Sequence, residues 1–146
     1  MQEEVIYDME GVKQVVVCEL NDQKYVLPII MVKEIIRVVE ITKVPDSAQY
    51  IEGVINLRGK VIPVLNLSRR LGLVEKETDN DTRIVVCELE EKPVGLIVDC
   101  VHEVGQISNT EIEKPDATMG DIDVFSGVVK KEKEVWLLLD LDKIFD

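Results

Sequence analysis

Gly53-Val-Ile-Asn-Leu-Arg-Gly-Lys-Val-Ile-Pro-Val-Leu-Asn-Leu67 carries the pattern on which the fold turns. It predicts a β-hairpin. Val54 and Ile55 end one strand, Val61 to Leu67 cluster apolar residues as a buried strand does, and Asn56-Leu57-Arg58-Gly59 supplies turn chemistry between them. Gly59 can take the positive φ of a tight tip, and Asn56 can bond backbone further along the turn. Leu57 and Arg58 are the odd pair, because a turn requires neither. Either they rest on the protein's own body or they wait for a partner.

The flanking sequence continues in short strands. Val15 to Leu20, a turn at Asn21-Asp22-Gln23, and Lys24 to Ile29 predict an earlier hairpin, after a charged lead-in over residues 1–11 that frays. Met31-Val32 and Ile35-Ile36, two apolar doublets four apart, predict a short helix over Met31–Arg37 with Ile35 packed inward. Val38 to Val44 reads as a strand stopped by Pro45, and Asp46 or Ser47 as the cap of a helical turn before Gly53. Beyond the central hairpin, Ser68 or Asn66 caps a basic turn, Arg69-Arg70-Leu71, closed by Gly72. Glu75 to Thr82 is polar throughout and reads as a linker.

After that linker the chain repeats itself. Val16-Val-Cys-Glu-Leu20 recurs unchanged as Val85-Val-Cys-Glu-Leu89, and the same offset brings Leu27 onto Leu96, Val32 onto Val101 and Glu34 onto Glu103. The central hairpin recurs at a slightly longer offset, Gly53-Val54 meeting Gly127-Val128, Val61 Val135, Leu65 Leu139 and Leu67 Leu141, while Asn66 answers Asp140. The extra residues fall between Glu113 and Phe125, where Pro115, Gly120 and several acids predict a longer loop. Two pseudo-repeats, about 12–74 and 82–146, each rich in short strands, imply a mainly β protein of two small barrels sharing an apolar seam, with short helices, as one domain over 12–146.

Comparing the copies separates scaffold from function. Both keep the Gly-Val entry and the closing strand, but the tip Asn56-Leu57-Arg58-Gly59-Lys60 becomes Lys130-Lys131-Glu132-Lys133-Glu134. A fold that closes this hairpin with mixed charge has no need of leucine and arginine there, so the first tip is a candidate contact surface. Its plain alternative is a weak surface pair between Arg58 and a carboxylate. Arg58, Lys60, Arg69 and Arg70 gather cationic charge in an acidic chain, which suits an acidic protein surface. Val32, Glu34 and Ile35 precede the tip and could line the same groove.

Composition excludes other classes. Twenty-nine acidic against 17 basic residues give a net charge of -12, which repels nucleic acid and anionic lipid. No apolar run approaches the roughly 20 residues of a membrane span, and the first residues lack the basic region of a secretory signal, so the expected compartment is the cytoplasm. Cys18, Cys87 and Cys100 lack metal-ligand spacing and read as buried small hydrophobes, with no metal and no cofactor expected. Cys100 and His102, the single histidine, would share one face of a strand, but no oxyanion loop or orienting third group accompanies them. Nor is there a phosphate loop or a spaced acid and base, so catalysis has little support.

Glu52-Gly-Val-Ile-Asn-Leu-Arg-Gly-Lys-Val-Ile-Pro-Val-Leu-Asn-Leu67 resembles the CheW family of chemotaxis coupling proteins. So do Val32-Lys-Glu-Ile35, Val94-Gly-Leu-Ile-Val-Asp99 and the closing Leu139-Asp-Leu-Asp-Lys-Ile-Phe145. The resemblance implies two SH3-like five-stranded β-barrels on a common core and a scaffold without enzymatic activity. It implies binding to the regulatory domain of a CheA-type histidine kinase and to the cytoplasmic tips of methyl-accepting chemoreceptors. It places Arg58 and Gly53 with Val32 and Glu34 at a receptor-facing groove between the barrels, to which the tip residue Leu57 and the upstream Ile35 are added as receptor-binding candidates. An adaptor of the same fold for another receptor and kinase pathway stands as the alternative, with a Cys100/His102 thiol catalyst a distant third.

Overall fold

In a computed structural model of the chain, residues 11–116 and 124–145 are described. The lead-in over 1–10 and most of the loop expected between Glu113 and Phe125 lie outside them. The described chain is built from eleven strands and two single-turn helices. No helix among the described residues is long and apolar enough to cross a membrane.

Each pseudo-repeat contributes five equivalent strands and one helix. The first supplies β1 (Val12–Leu20), β2 (Gln23–Pro28), β3 (Val32–Arg37), β4 (Ile51–Leu57), β5 (Lys60–Asn66) and α1 (Leu67–Arg70). The second supplies β6 (Arg83–Leu89), β7 (Lys92–Val98), β8 (Cys100–Ser108), a short β9 (Ile112–Glu113), β10 (Phe125–Lys131), β11 (Glu134–Leu139) and α2 (Leu141–Ile144). Asn66 caps α1 by accepting from Arg69 N–H, and Asp140 does the same for α2 with Lys143 N–H.

The copies are interleaved. One sheet runs β8-β1-β2-β11-β10-β9 and the other β3-β6-β7-β5-β4, so each draws strands from both repeats. Two compact units result, residues 1–30 with 102–146, and residues 31–101. Glu75–Thr82 is therefore a loop inside the second unit and does not mark its boundary. The pairing registers repeat as faithfully as the sequence does: Val16 faces Leu27 as Val85 faces Leu96, and the parallel pair Val26–Leu138 matches Gly95–Val64. Both long hairpins carry a register shift in their first strand, at Ile51/Gly53 and at Phe125/Gly127.

Each unit has its own core. In the first, Val15, Val17, Val26, Ile107, Val129 and Leu138 cluster, with Ile112 and Trp136 against them. In the second, Ile55, Ile62, Val64, Ile84 and Val86 cluster, joined by Ile36, Val38, Ile41, Leu57 and Ile97. Both edges of each sheet send side chains into one cluster, which requires the sheet to curl on itself as an SH3-like barrel does.

Three local expectations fail. Met31–Arg37 is not helical: Ile29–Met31 forms a 3-10 turn and Val32–Arg37 is an edge strand paired with β6. A register shift between Val32 and Glu34 breaks strict alternation, so the apolar doublets mimic helical spacing. Ile36, and not Ile35, faces the core; Ile35 is 40% exposed. Val38–Val44 makes only one bridge, Thr42 to Val54, because Val38 and Ile41 are used as core plugs from a loop. Asp46 and Ser47 shape a turn without a helix, the Ser47 hydroxyl donating back to Val44 O.

Candidate functional site

The β4–β5 tip is a two-residue turn with positive φ at both central residues, Arg58 (52°) and Gly59 (87°), the pattern that matches strand twist in tight hairpins. Asn56 Oδ1 accepts the Gly59 N–H at 2.9 Å and braces it. Leu57 and Arg58 then part company. Leu57 ends β4 on the inward face and packs against the second unit's core, whereas the Arg58 side chain is 68% exposed.

Arg58 donates to Glu34 of β3 in a charge-assisted hydrogen bond. Since β3 and β4 are the two edges of the five-stranded sheet, the pair spans the seam where the barrel closes. Beside it, Lys33 of β3 reaches Glu88 of β6 at 3.5 Å. Leu57, Ile62, Val86 and Pro93 floor a depression of about 390 Å³ whose rim carries these two ion pairs with Lys60 and Glu91. Its chemistry is that of a docking surface, an apolar floor with orienting charge around it.

Of the six residues singled out in the sequence, Arg58, Leu57 and Glu34 meet at this depression. Val32 lies half-buried in β3 opposite Cys87, and Ile35 is exposed on the same strand. Gly53 is buried where a Cβ would stand 2.2 Å from Thr42 O, so it keeps the Thr42–Val54 bridge closed. The four cations are split as well. Arg69 is engaged by Glu52 (3.1 Å), Glu75 (2.9 Å) and Gln49 O (2.8 Å), and Arg70 lies over the Tyr50 ring at 5.1 Å. The bond from Arg69 holds the Glu75 carboxyl below its ordinary range. Arg69 thus serves α1 and its adjoining loops.

The equivalent tip in the first unit is arranged differently. Glu132 replaces Arg58 while Glu103 keeps the glutamate of Glu34, and Trp136 replaces Ile62, with Lys131 Nζ 5.1 Å from its ring centroid. Among the described residues, only the second unit places an arginine against a glutamate at this seam.

Compared with known proteins, residues 14–146 match the CheW-like domain. The chain belongs to the CheW-like family. It is 35% identical to the chemotaxis protein CheW of Bacillus subtilis strain 168 over 92% of this chain and 87% of that one. With the CheW of Thermotoga maritima the identity is 32%, over 88% and 84%. The crystal structure of the scaffolding protein TtCheW from Thermoanaerobacter tengcongensis superposes with a TM-score of 0.86 at 37% identity, covering 91% of this chain and 92% of that one.

The cysteines of this CheW-like chain divide by environment. Cys18 and Cys87 are fully buried at equivalent points of β1 and β6, and burial pushes the Cys87 thiol up to about 12. Cys100 is half-buried. Its neighbour His102 meets Glu19 of β1, Nε2 to Oε1 at 2.7 Å, in the position where Lys33 meets Glu88 in the other unit. Sequence spacing missed the Glu19–His102 pair because Glu19 arrives from a distant strand.

Proposed function

We propose that this chain is a chemotaxis scaffold that joins the cytoplasmic tips of methyl-accepting chemoreceptors to the regulatory domain of a CheA-type histidine kinase. It works in the cytoplasm, associated with membrane receptor arrays through its protein partners. It acts without a catalytic step or a cofactor, by holding both partners so that receptor conformation biases the kinase. The observation that carries the reading is the Arg58–Glu34 pair over the apolar floor of the second unit, where the fold's other copy closes without an arginine at the tip. The tip with Arg58, Leu57 and Glu34 is the receptor-facing element, and Val32, Ile35 and Gly53 hold its surroundings in place.

The test is phosphate flux through a CheA-type kinase mixed with receptor-bearing membranes. The wild type should raise the flux and Arg58→Glu should not, while the double exchange Glu34→Arg with Arg58→Glu separates loss of the pair from loss of the arginine. Arg58→Glu places two acids where the first unit already has Glu103 and Glu132, so the fold survives. Equal activation by wild type and Arg58→Glu would remove the tip from the interface. No activation by either, beside a competent control adaptor, would point to another receptor and kinase pathway.

A further inference from the structure

Beside the Arg69 clamp the second unit holds a cavity of about 200 Å³, which shares no lining residue with the depression at the tip. Val38, Ile41 and Ile97 give it an apolar floor, and its polar wall includes Glu52, Ser68 and Glu77. All of these residues belong to the second unit. Ser68 is only 4% exposed, yet its hydroxyl has no hydrogen-bond partner among the described residues. No side-chain oxygen or nitrogen fully sealed from solvent among those residues lacks a partner, so this hydroxyl opens into the cavity it lines. We propose that the cavity binds a primary alkylammonium ion, with Ser68 and Glu52 receiving its head group.

The repeat isolates what the fold itself needs. In the other copy the same position of the short helix is Asp142, which is exposed. Ser68 is buried because the chain folds back after Gly72: Leu73 N–H donates to Ser68 O at 2.8 Å, and Glu75 of the loop beyond is bonded by Arg69. Folding back explains the burial and gives no reason for a hydroxyl. An unpaired buried hydroxyl is costly, and a ligand would satisfy it.

The lining selects the ligand. Four carboxylates, of Glu52, Glu75, Glu77 and Asp99, stand against the two cations of Arg69 and Lys76, so anions are repelled and cations drawn in. Among the described residues no three of these carboxylates gather closely enough to share one metal ion. The floor favours an organic cation, whose aliphatic stem lies on apolar side chains while its head meets the polar wall. A primary ammonium has three donors and no acceptor. Facing it are the Ser68 hydroxyl, the Glu77 carboxylate and Glu52 Oε2, which is left over after Oε1 accepts from Asn66 and Arg69. The volume is below the roughly 300–1,000 Å³ of cofactor sites and suits one side-chain-sized group. A free aliphatic amine and a lysine side chain offer the same chemistry.

Amide shifts of the nitrogen-15-labelled full-length chain, titrated at constant ionic strength, test the site. n-Butylammonium should give saturable shifts confined to the residues around Glu52 and to 66–78. Tetramethylammonium, which has no N–H, and 1-butanol, which has no charge, should bind at least about tenfold more weakly. Tighter binding of 1,5-diaminopentane than of Nα-acetyl-lysine methylamide would support the site with a free diamine as its ligand, and the reverse order would support it with a protein side chain. Ser68→Ala should weaken binding by about tenfold or more, and Glu77→Gln, at an exposed position, by up to about fivefold. Without ligand, Ser68→Ala should melt no lower than the wild type, since the hydroxyl it removes is unpaired. Shifts that rise linearly and spread over the surface, equal binding of tetramethylammonium, an affinity unmoved by Ser68→Ala, or a marked fall in its melting temperature would overturn the proposal.

Discussion

Gly105 and Trp136 show how two copies of one barrel can pack differently. A Cβ on Gly105 would stand 2.8 Å from the Trp136 ring, so the glycine exists to admit the indole. The corresponding residues of the second unit are Ile36 and Ile62, both part of its core. One large and one absent side chain have been exchanged for two of middle size. Gly105→Ile alone should overpack the first unit and Trp136→Ile alone should leave a cavity, each costing about 1–3 kcal/mol. Together they recreate the Ile36/Ile62 pair, so the double variant should be more stable than the sum by about 0.5–3 kcal/mol, read from denaturant unfolding of all four proteins. Additive costs would show that the two positions are not one packing unit.

The hairpins were legible because each is a local object, two alternating runs around turn residues, and Asn21-Asp22 and Arg58-Gly59 turn where the sequence says. Edge strand β3 was not, because its partner β6 lies some fifty residues on and the shift after Val32 disguises its period. Of the candidate site, Arg58, Leu57 and Glu34 were readable by contrast between copies, whereas the Arg69 clamp and the Glu19–His102 pair depend on contacts that sequence spacing does not carry. At the tip, asparagine suits the left-handed conformation of position 58 better than arginine, by about 1 kcal/mol. The exposed Arg58–Glu34 pair is worth roughly 0.2–1 kcal/mol. Arg58→Asn should therefore unfold at nearly the wild-type temperature while failing to support kinase activation; a large drop in melting temperature would make the arginine structural. The Arg69 clamp has a pH signature. Glu75 titrates below its ordinary range in the folded chain, so the contact is complete above the usual carboxyl pKa of about 4.3 and is lost as pH falls through the lower folded value. The Arg69 side-chain N–H resonance should move with that transition, and Glu75→Gln should remove it.

Interleaving changes what the repeat means for folding. Each unit's sheet contains a parallel pair between copies, β2 with β11 and β5 with β7, and each also seats an edge strand on the other copy, β8 on β1 and β3 on β6. A single repeat therefore owns no complete barrel. Its two hairpins belong to different units, and isolated two-stranded hairpins are marginal in water. Because contacts within the first unit join residues from the two ends of the chain, its loop closure over a long distance precedes most of its stabilisation. Cutting the chain in the polar loop at Glu77–Thr78 leaves every strand whole and yields fragments 1–77 and 78–146. Each alone should lack the amide dispersion of a folded β protein, and an equimolar mixture should recover it, with the spectrum of the intact chain. If fragment 1–77 folded by itself, the first repeat would be a barrel in its own right and the exchanged strands a secondary embellishment. If the mixture stayed unfolded, the covalent link through the loop would be supplying more than the modest entropy that joining two fragments restores.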